Sequence, residues 1–267
     1  MNNTKIVQSL WIGEKLSLFE EMCINSFIQN GYEFHLYVYS ADLNVPDRTI
    51  KKDASQIIQK RDIFRNNLGK KTYTAFANLF RYKLLYEKGG FWVDMDVICL
   101  KELIIRGKYM FGSQGRGVVG NAVIYAEPKS KLMLELYNKS KGVTHQNYWG
   151  ETGPTLLTKT IKKLELEKYI LPSEVYYPVK HWETIKLIKN GSIPRSSETL
   201  HLWNEIILKK GINKKTYLPS WTLLGKIQRK YTPNKNINNY SGILVYLLLM
   251  ILYYIKRPIN IFWSAIK

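Results

Sequence analysis

Gly89-Gly90-Phe91-Trp92-Val93-Asp94-Met95-Asp96 is the stretch on which the reading of this chain turns. Two glycines stop a helix, three apolar residues form a short buried strand, and two aspartates stand at its carboxyl end. In open α/β sheets, ligands gather at that end of the strands. Carboxylates this close repel each other unless a cation neutralises them, and oxygen donors suit Mg²⁺ or Mn²⁺. The chain has six aspartates and none after Asp96, so a pair at one strand end points to a metal site rather than a solvated turn. Upstream, Ala75-Phe76-Ala77-Asn78-Leu79-Phe80-Arg81-Tyr82 falls in a helical pattern over residues 74–88. Helix, turn, strand and acids make one unit, which is the context such a motif needs.

Outward from this unit, residues 5–12 are apolar and β-rich and read as a first strand. Ser17-Leu18-Phe19-Glu20 matches a capping box and opens a helix that runs to Asn30-Gly31. Residues 33–39 alternate and form a second strand. A β-α-β start predicts an α/β fold with a mixed, mostly parallel sheet flanked by helices. Residues 53–67 read as helix plus loop, 118–126 as a strand, and Pro128 as the first turn of a helix to residue 139. Residues 153–165 read as helix, 169–179 as irregular, and 199–208 as a short apolar segment. Gly115-Arg116-Gly117-Val118-Val119-Gly120 matches GxGxxG, but a strand follows it. A dinucleotide site needs a helix there, so the run reads as a glycine-rich loop beside the pocket.

The chain has 267 residues, 45% hydrophobic and 23% charged, which excludes a disordered or collagen-like protein. A net charge of +19 points to an anionic partner: nucleic acid, a phosphorylated substrate or a membrane surface. The cations are 31 Lys and 9 Arg, and a base-reading protein would favour Arg. Nucleic acid is therefore not expected as a partner, although a nucleic-acid-binding protein is the alternative that charge alone suggests. The charge is also uneven. Residues 206–267 hold eleven basic residues and no acid. This divides the chain into a domain at 1–205 and a basic, apolar and aromatic helical tail at 206–267. Residues 243–255 are thirteen consecutive apolar residues, short of the roughly 20 that span a bilayer as a helix. Phe262 and Trp263 follow beyond Lys256-Arg257-Pro258. Such a tail suits an anionic membrane surface, with packing on the domain or a partner chain as the alternative. The polar N-terminus runs straight into a strand, which predicts a cytoplasmic protein, peripheral on the inner face of the plasma membrane. Cys23 and Cys99 read as buried thiols, and His35, His145 and His181 as core or surface histidines.

Residues 77–96, with Ala77-Asn78-Leu79-Phe80-Arg81-Tyr82, Leu84-Leu85-Tyr86-Glu87 and the Gly89–Asp96 run, resemble glycosyltransferase family 32, the enzymes with a sugar-binding region containing a DXD motif. Trp11-Ile12-Gly13, Gly120-Asn121, Glu151-Thr152-Gly153-Pro154 and His201-Leu202-Trp203-Asn204 are similar to further elements of that group, so the resemblance spans roughly residues 4–205. It implies a GT-A type nucleotide-sugar-binding fold, a divalent cation (Mn²⁺ or Mg²⁺), a nucleotide-sugar donor such as a UDP-sugar, and retention of anomeric configuration. By the same resemblance, Asp96 ligates the metal, Asp94 contacts the donor and reaches the metal, and His201 is a third ligand. Arg81 holds the donor sugar or phosphates. Leu10, Trp11, Asn78, Asn121, Gly153 and Pro154 belong to the substrate site, with Trp11 near the base. Glu151 is the candidate positioning carboxylate, with a helix-start acid favoured by the dipole as the other reading. Many relatives carry Asp where this chain has Asn78, so donor identity does not transfer. The expected acceptor is a lipid-linked glycan in bacterial surface-polysaccharide synthesis. A catalytically inactive scaffold is disfavoured by the retained Arg81, Asp94 and Asp96.

Overall fold

The computed structural model describes residues 5–65, 72–143, 150–232 and 242–251. His145 and residues 252–267, with Phe262 and Trp263, lie outside the described residues. The elements run β1 (Ile6–Trp11), α1 (Leu18–Gln29), β2 (Glu33–Val38), β3 (Thr49–Asp53), α2 (Thr74–Lys88), β4 (Gly90–Val93) and β5 (Val97–Cys99). They continue through β6 (Tyr109–Gly115), β7 (Val118–Ala126), α3 (Lys131–Ser140), α4 (Leu156–Lys163), β8 (Ile170–Leu171) and α5 (Ser173–Tyr176). The described chain then adds α6 (Ile185–Ile188), β9 (Thr199–His201), α7 (Asn204–Lys209) and α8 (Leu223–Tyr231).

Seven strands form one sheet in the order β3-β2-β1-β4-β7-β6-β8, and β5 pairs with β9 in a separate two-stranded ribbon. Strands β3, β2, β1 and β4 are parallel, so Val38, Trp11 and Val93 all end at the same edge. Strand β7 runs antiparallel between β4 and β6. This is the mixed, mostly parallel α/β sheet expected for the GT-A type.

Side chains alternate along each strand and so feed two cores. Phe91 and Val93 of β4 enter the core shared with α1, where Cys23, Phe27 and Phe34 are fully buried. Trp92 points the other way, into the core beneath α2, α3 and α4. The capping box forms as expected. Ser17 accepts from the Phe19 amide and Glu20 accepts from the Ser17 amide at 2.7 Å. Cys23 and Cys99 are buried free thiols, each pushed upward in pKa first by burial.

Three local expectations are corrected. The helix expected from Pro128 starts at Lys131, because Lys129 takes φ 60 and the Pro128 ring instead covers the turn after α2. A Cβ on Gly89, at φ 66, would fall 2.6 Å from that ring, so glycine is required there. The helix expected over 153–165 begins as a π-turn, Glu151–Thr155, in which Gly153 is non-helical at φ −104 and ψ −118. Only then does α4 follow. The 53–67 segment holds two 3₁₀ turns, Ala54–Gln56 and Lys60–Asp62, and no α-helix among its described residues.

Composition changes at residue 206, but packing runs through it. Ile207, Ile212, Leu218, Leu224 and Ile227 share a third core with Leu18, Phe19 and Met22 of α1 and with Ile98 and Leu200 of the β5–β9 ribbon. Residues 242–251 are helical, and Val245, Leu249 and Met250 join the same core. The opposite face of that helix leaves Leu244, Leu247, Leu248 and Ile251 exposed, at i, i+3, i+4 and i+7. No helix among the described residues is long and apolar enough to cross a membrane.

Strand β7 also carries a tight contact. A Cβ on Gly120 would lie 2.4 Å from the Tyr177 ring, whose oxygen accepts from the Ala122 amide at 3.1 Å. Gly120→Ala must displace a fully buried tyrosine, so we expect a loss of about 1–3 kcal/mol. Thermal unfolding beside the parent protein checks it, and an unchanged midpoint would refute the contact.

Candidate active site

The site lies at the common edge where β1, β2 and β4 end. Helix α2 supplies one wall. Thr74, Asn78 and Arg81 are spaced i, i+4 and i+7 and so share one stripe, and all three line a cavity of about 170 Å³. Asn78 and Arg81 are buried polar residues, at 1% and 4% exposure. A buried guanidinium needs a counter-charge, and Arg81 has one: its Nη1 lies 2.9 Å from Asp94 Oδ1. The same nitrogen donates to the Asn121 carbonyl, Nε donates to the Ala77 carbonyl at 3.3 Å, and the guanidinium lies 4.8 Å from the Trp92 ring centre.

Trp92 is two residues before Asp94 and therefore on the same strand face. Its indole N–H donates to Asp94 Oδ1 at 2.8 Å. Asp94 is thus held from both sides. Burial pushes its carboxyl up in pKa; Arg81 opposes this and the Asp96 charge adds to it. Asp96 has a separate set of partners. The His201 Nε2 lies 3.1 Å from Asp96 Oδ1, and the Asn204 amide donates to Oδ2 at 3.0 Å. Burial pushes Asp96 up too, but His201, the Asn204 amide and Lys214 outweigh it and hold the carboxyl below its ordinary range. Two neighbouring carboxylates are therefore pushed in opposite directions.

The loop after β9 makes this possible. The Leu202 amide donates to the Asp96 carbonyl at 2.9 Å, and Trp203 takes the left-handed conformation, φ 58 and ψ 52, before α7 begins at Asn204. Ligand atoms of Asp94, Asp96 and His201 all lie within 4.8 Å of one another. The set fits a divalent cation: two carboxylates supply charge, the imidazole supplies a nitrogen, and the donors converge from β4 and β9 on one point. His201 Nδ1 and Asn204 Oδ1 are buried without a hydrogen-bond partner among the described residues, which leaves polar capacity beside that point.

A polar relay continues from the cluster. Asn121 Nδ2 donates to Asn78 Oδ1 at 2.9 Å, and Asn78 Nδ2 donates to Thr152 Oγ1 at 3.1 Å. Gly153 packs against both amides; a Cβ there would meet each at 3.0 Å. Pro154 lines the cavity. So Asn78, Arg81, Asp94, Asp96, Asn121, Gly153, Pro154 and His201 come together.

Three anticipated residues stand elsewhere. Trp11 lines a separate cavity of about 410 Å³ with Tyr39, Asp42, Lys60 and Tyr73. Leu10 is buried in the core beneath α2 and lines neither cavity. Glu151 lies at a further hollow with Lys139 and Lys159. Sequence reasoning passed over Trp92, Thr74, Gln114 and Asn204 as site residues. The strand period marks Trp92 and the helix period marks Thr74, whereas Gln114 carries no such signal.

Residues 19–114 match the family described as "Glycosyltransferase sugar-binding region containing DXD motif". The chain is 28% identical to lactosylceramide 4-alpha-galactosyltransferase of Mus musculus over 176 residues, which is 60% of this chain and 48% of that protein. The Homo sapiens protein of the same name is 27% identical, with the same coverage. The chain thus spans about half the length of the curated relatives it matches. Among solved structures, the glycosyltransferase GlyE of Streptococcus pneumoniae aligns with a TM-score of 0.47 and 12% identity, over 96% of this chain and 64% of that one. The sugar-binding match covers the Arg81 helix and the Asp94–Asp96 strand together, and over these elements the chain is similar to glycosyltransferases with a DXD motif.

Proposed function

We propose that this chain moves a sugar from a nucleotide-diphosphate donor, with UDP as the nucleotide, to a hydroxyl of a glycan acceptor, with retention at the anomeric carbon. The observation that carries the reading is the Asp94–Asp96–His201 cluster at the carboxyl edge of the sheet, with Arg81 buried beside it. Trp11, Tyr39 and Tyr73 offer aromatic surface for a base in one cavity, and adjacent Thr74 already lines the other. A donor therefore fits with its base at Trp11 and its diphosphate at the carboxylates.

Asp94, Asp96 and His201 would hold the cation, and the imidazole donor favours Mn²⁺ over Mg²⁺. Bound there, a divalent cation supplies Lewis-acid stabilisation of the charge that gathers on the departing diphosphate. Arg81 adds a fixed positive charge and holds Asp94 in place for the donor. The bond from the anomeric carbon to the phosphate oxygen breaks, and the bond to the acceptor oxygen forms on the same face. The acceptor proton passes to the leaving phosphate, so no protein nucleophile is required. The test is a screen of nucleotide-sugars with Mn²⁺ present. We expect one UDP-sugar to be turned over and EDTA to abolish it; full turnover in chelator would overturn the metal assignment.

The acceptor in this reading is lipid-linked, in bacterial surface-polysaccharide synthesis, and the protein works on the cytoplasmic face of the plasma membrane. What supports this is the exposed Leu244, Leu247, Leu248 and Ile251 stripe in a segment with eleven cations and no acid after residue 205. We expect the protein to sediment with anionic vesicles, and Leu244→Glu with Leu248→Glu to release it. Absence of vesicle binding by the parent protein would sink the membrane assignment while leaving the enzyme intact.

A further inference from the structure

A ladder of rings runs from the carboxylate cluster to the surface. The centroids of His201 and Trp203 are 4.1 Å apart, those of Trp203 and His181 are 5.6 Å apart, and those of His181 and Trp182 are 4.6 Å apart. Trp203 is 5% exposed and Trp182 is 40% exposed, so the ladder leads from the cavity wall outward. The Arg116 guanidinium lies over the Trp182 ring, 4.3 Å from its centre. Arg116 sits in the turn between β6 and β7, two residues after Gln114, which lines the carboxylate cavity. The end of the ladder is therefore the rim of the site.

Two observations show that this rim is built rather than accidental. Arg116 takes φ 54 between Gly115 at φ 97 and Gly117 at φ 71. A left-handed turn costs least with glycine or asparagine, so the backbone bears strain to present an arginine. A Cβ on Gly115 would fall 2.8 Å from the Trp182 ring, so the turn and the indole are already in close contact. Arg116 is also exposed and makes no ion pair among the described residues. Burial and the Arg116 charge both hold His181 below its ordinary pKa. The rim therefore offers an open indole surface and one oriented, uncompensated guanidinium.

We infer that Trp182 and Arg116 bind the acceptor, and that this acceptor is an anionic saccharide. The C–H face of a sugar packs on exposed indole, and a phosphate or carboxylate takes the forked N–H groups of a guanidinium already fixed by its ring contact. The inference rests on the glycosyltransferase reading and deepens it: it names the class of acceptor and the residues that select it. Both anionic groups present the same chemistry to Arg116, so the experiment separates them.

Calorimetric titration of the full chain, with UDP and Mn²⁺ saturating the donor site, uses three probes: an oligogalacturonide for carboxylate, glucose 1-phosphate for phosphate, and a neutral malto-oligosaccharide. We expect at least one acidic probe to bind about tenfold or more tighter than the neutral one, and the probe that does so identifies the anionic group. Arg116→Gln should erase that preference, and Trp182→Ala should weaken every saccharide that binds. The ratio of acidic to neutral affinity is the readout, because a loosened fold would lower both together. Equal binding of acidic and neutral probes, a preference that survives Arg116→Gln, or no saccharide binding at all would each overturn the inference. Parent-protein turnover of the donor, run in parallel, tells this failure apart from failure of the glycosyltransferase reading itself.

Discussion

Asp96→Asn should cut nucleotide-sugar turnover by about a thousandfold or more, the scale of losing metal-assisted charge stabilisation. The change is close to isosteric, so volume is not the cause. Asp96 accepts the Asn204 amide on one oxygen and faces His201 on the other. An amide that still accepts from Asn204 turns its NH2 toward His201, and the converging point loses one of its two negative charges. Mn²⁺ binding, followed by calorimetry, should fall with activity. Because the fold favours the ionised Asp96, the neutral amide should also lower the melting temperature, while relief of repulsion with Asp94 limits the fall. Turnover within tenfold of the parent would remove Asp96 from the metal site.

Arg81→Met carries the second large effect, on stability as well as activity. Arg81 is buried, and its loss leaves Asp94 facing Trp92 and Asp96 with no cation beside it. Breaking a buried pair from one side costs several kcal/mol, and the quarter exposure of Asp94 places this case at about 3 kcal/mol. For a chain of this size that is a fall in melting temperature of roughly 6–12 °C. The double change Arg81→Met with Asp94→Asn should recover most of that loss, since the stranded charge is gone, yet restore no turnover. Mn²⁺ should likewise stabilise Arg81→Met more than the parent, because a bound cation supplies the missing counter-charge. A double variant as unstable as the single one would show that Arg81 stabilises by packing, not by pairing.

The parts of the molecule governed by local period were legible. Helix α2, strand β4, strand β7 and the capping box at Ser17 stand where spacing placed them. What escaped reading has specific causes. Strand β3, with Lys51 and Lys52, is an edge strand, and edge lysines make such a strand look like a polar loop. Strand β6 contains Gly112 and Gly115 and looks like a turn, but Gly112 is needed because Tyr176 and Tyr177 pack within about 3 Å of where its Cβ would be. Pro128 looked like a helix start because Pro is favoured there, and the competing demand was to close over Gly89. Within the site, the strand end exposed Asp94 and Asp96 directly. The meeting of Asp96 with His201, 105 residues away, has no local signature and came only through the family resemblance. Arg116 and Trp182 are the reverse case. They form no motif, and only the fold brings the turn and the ring together.

Helix α1 has no solvent side to speak of, since one face enters the sheet core and Leu18, Phe19 and Met22 enter the third core. Ile98 and Leu200 cover part of this second face, and the rest of its cover, such as Leu224 and Ile227, comes roughly two hundred positions later, about 10–40 s of synthesis at ordinary elongation rates. During that interval the nascent chain holds a helix that is greasy on both sides with one side only partly sheltered. The protein therefore cannot reach its native state piecewise from the front. The segment around Leu224 and Ile227 completes that core, and the interval before it arrives is a period of exposure to aggregation and to chaperones.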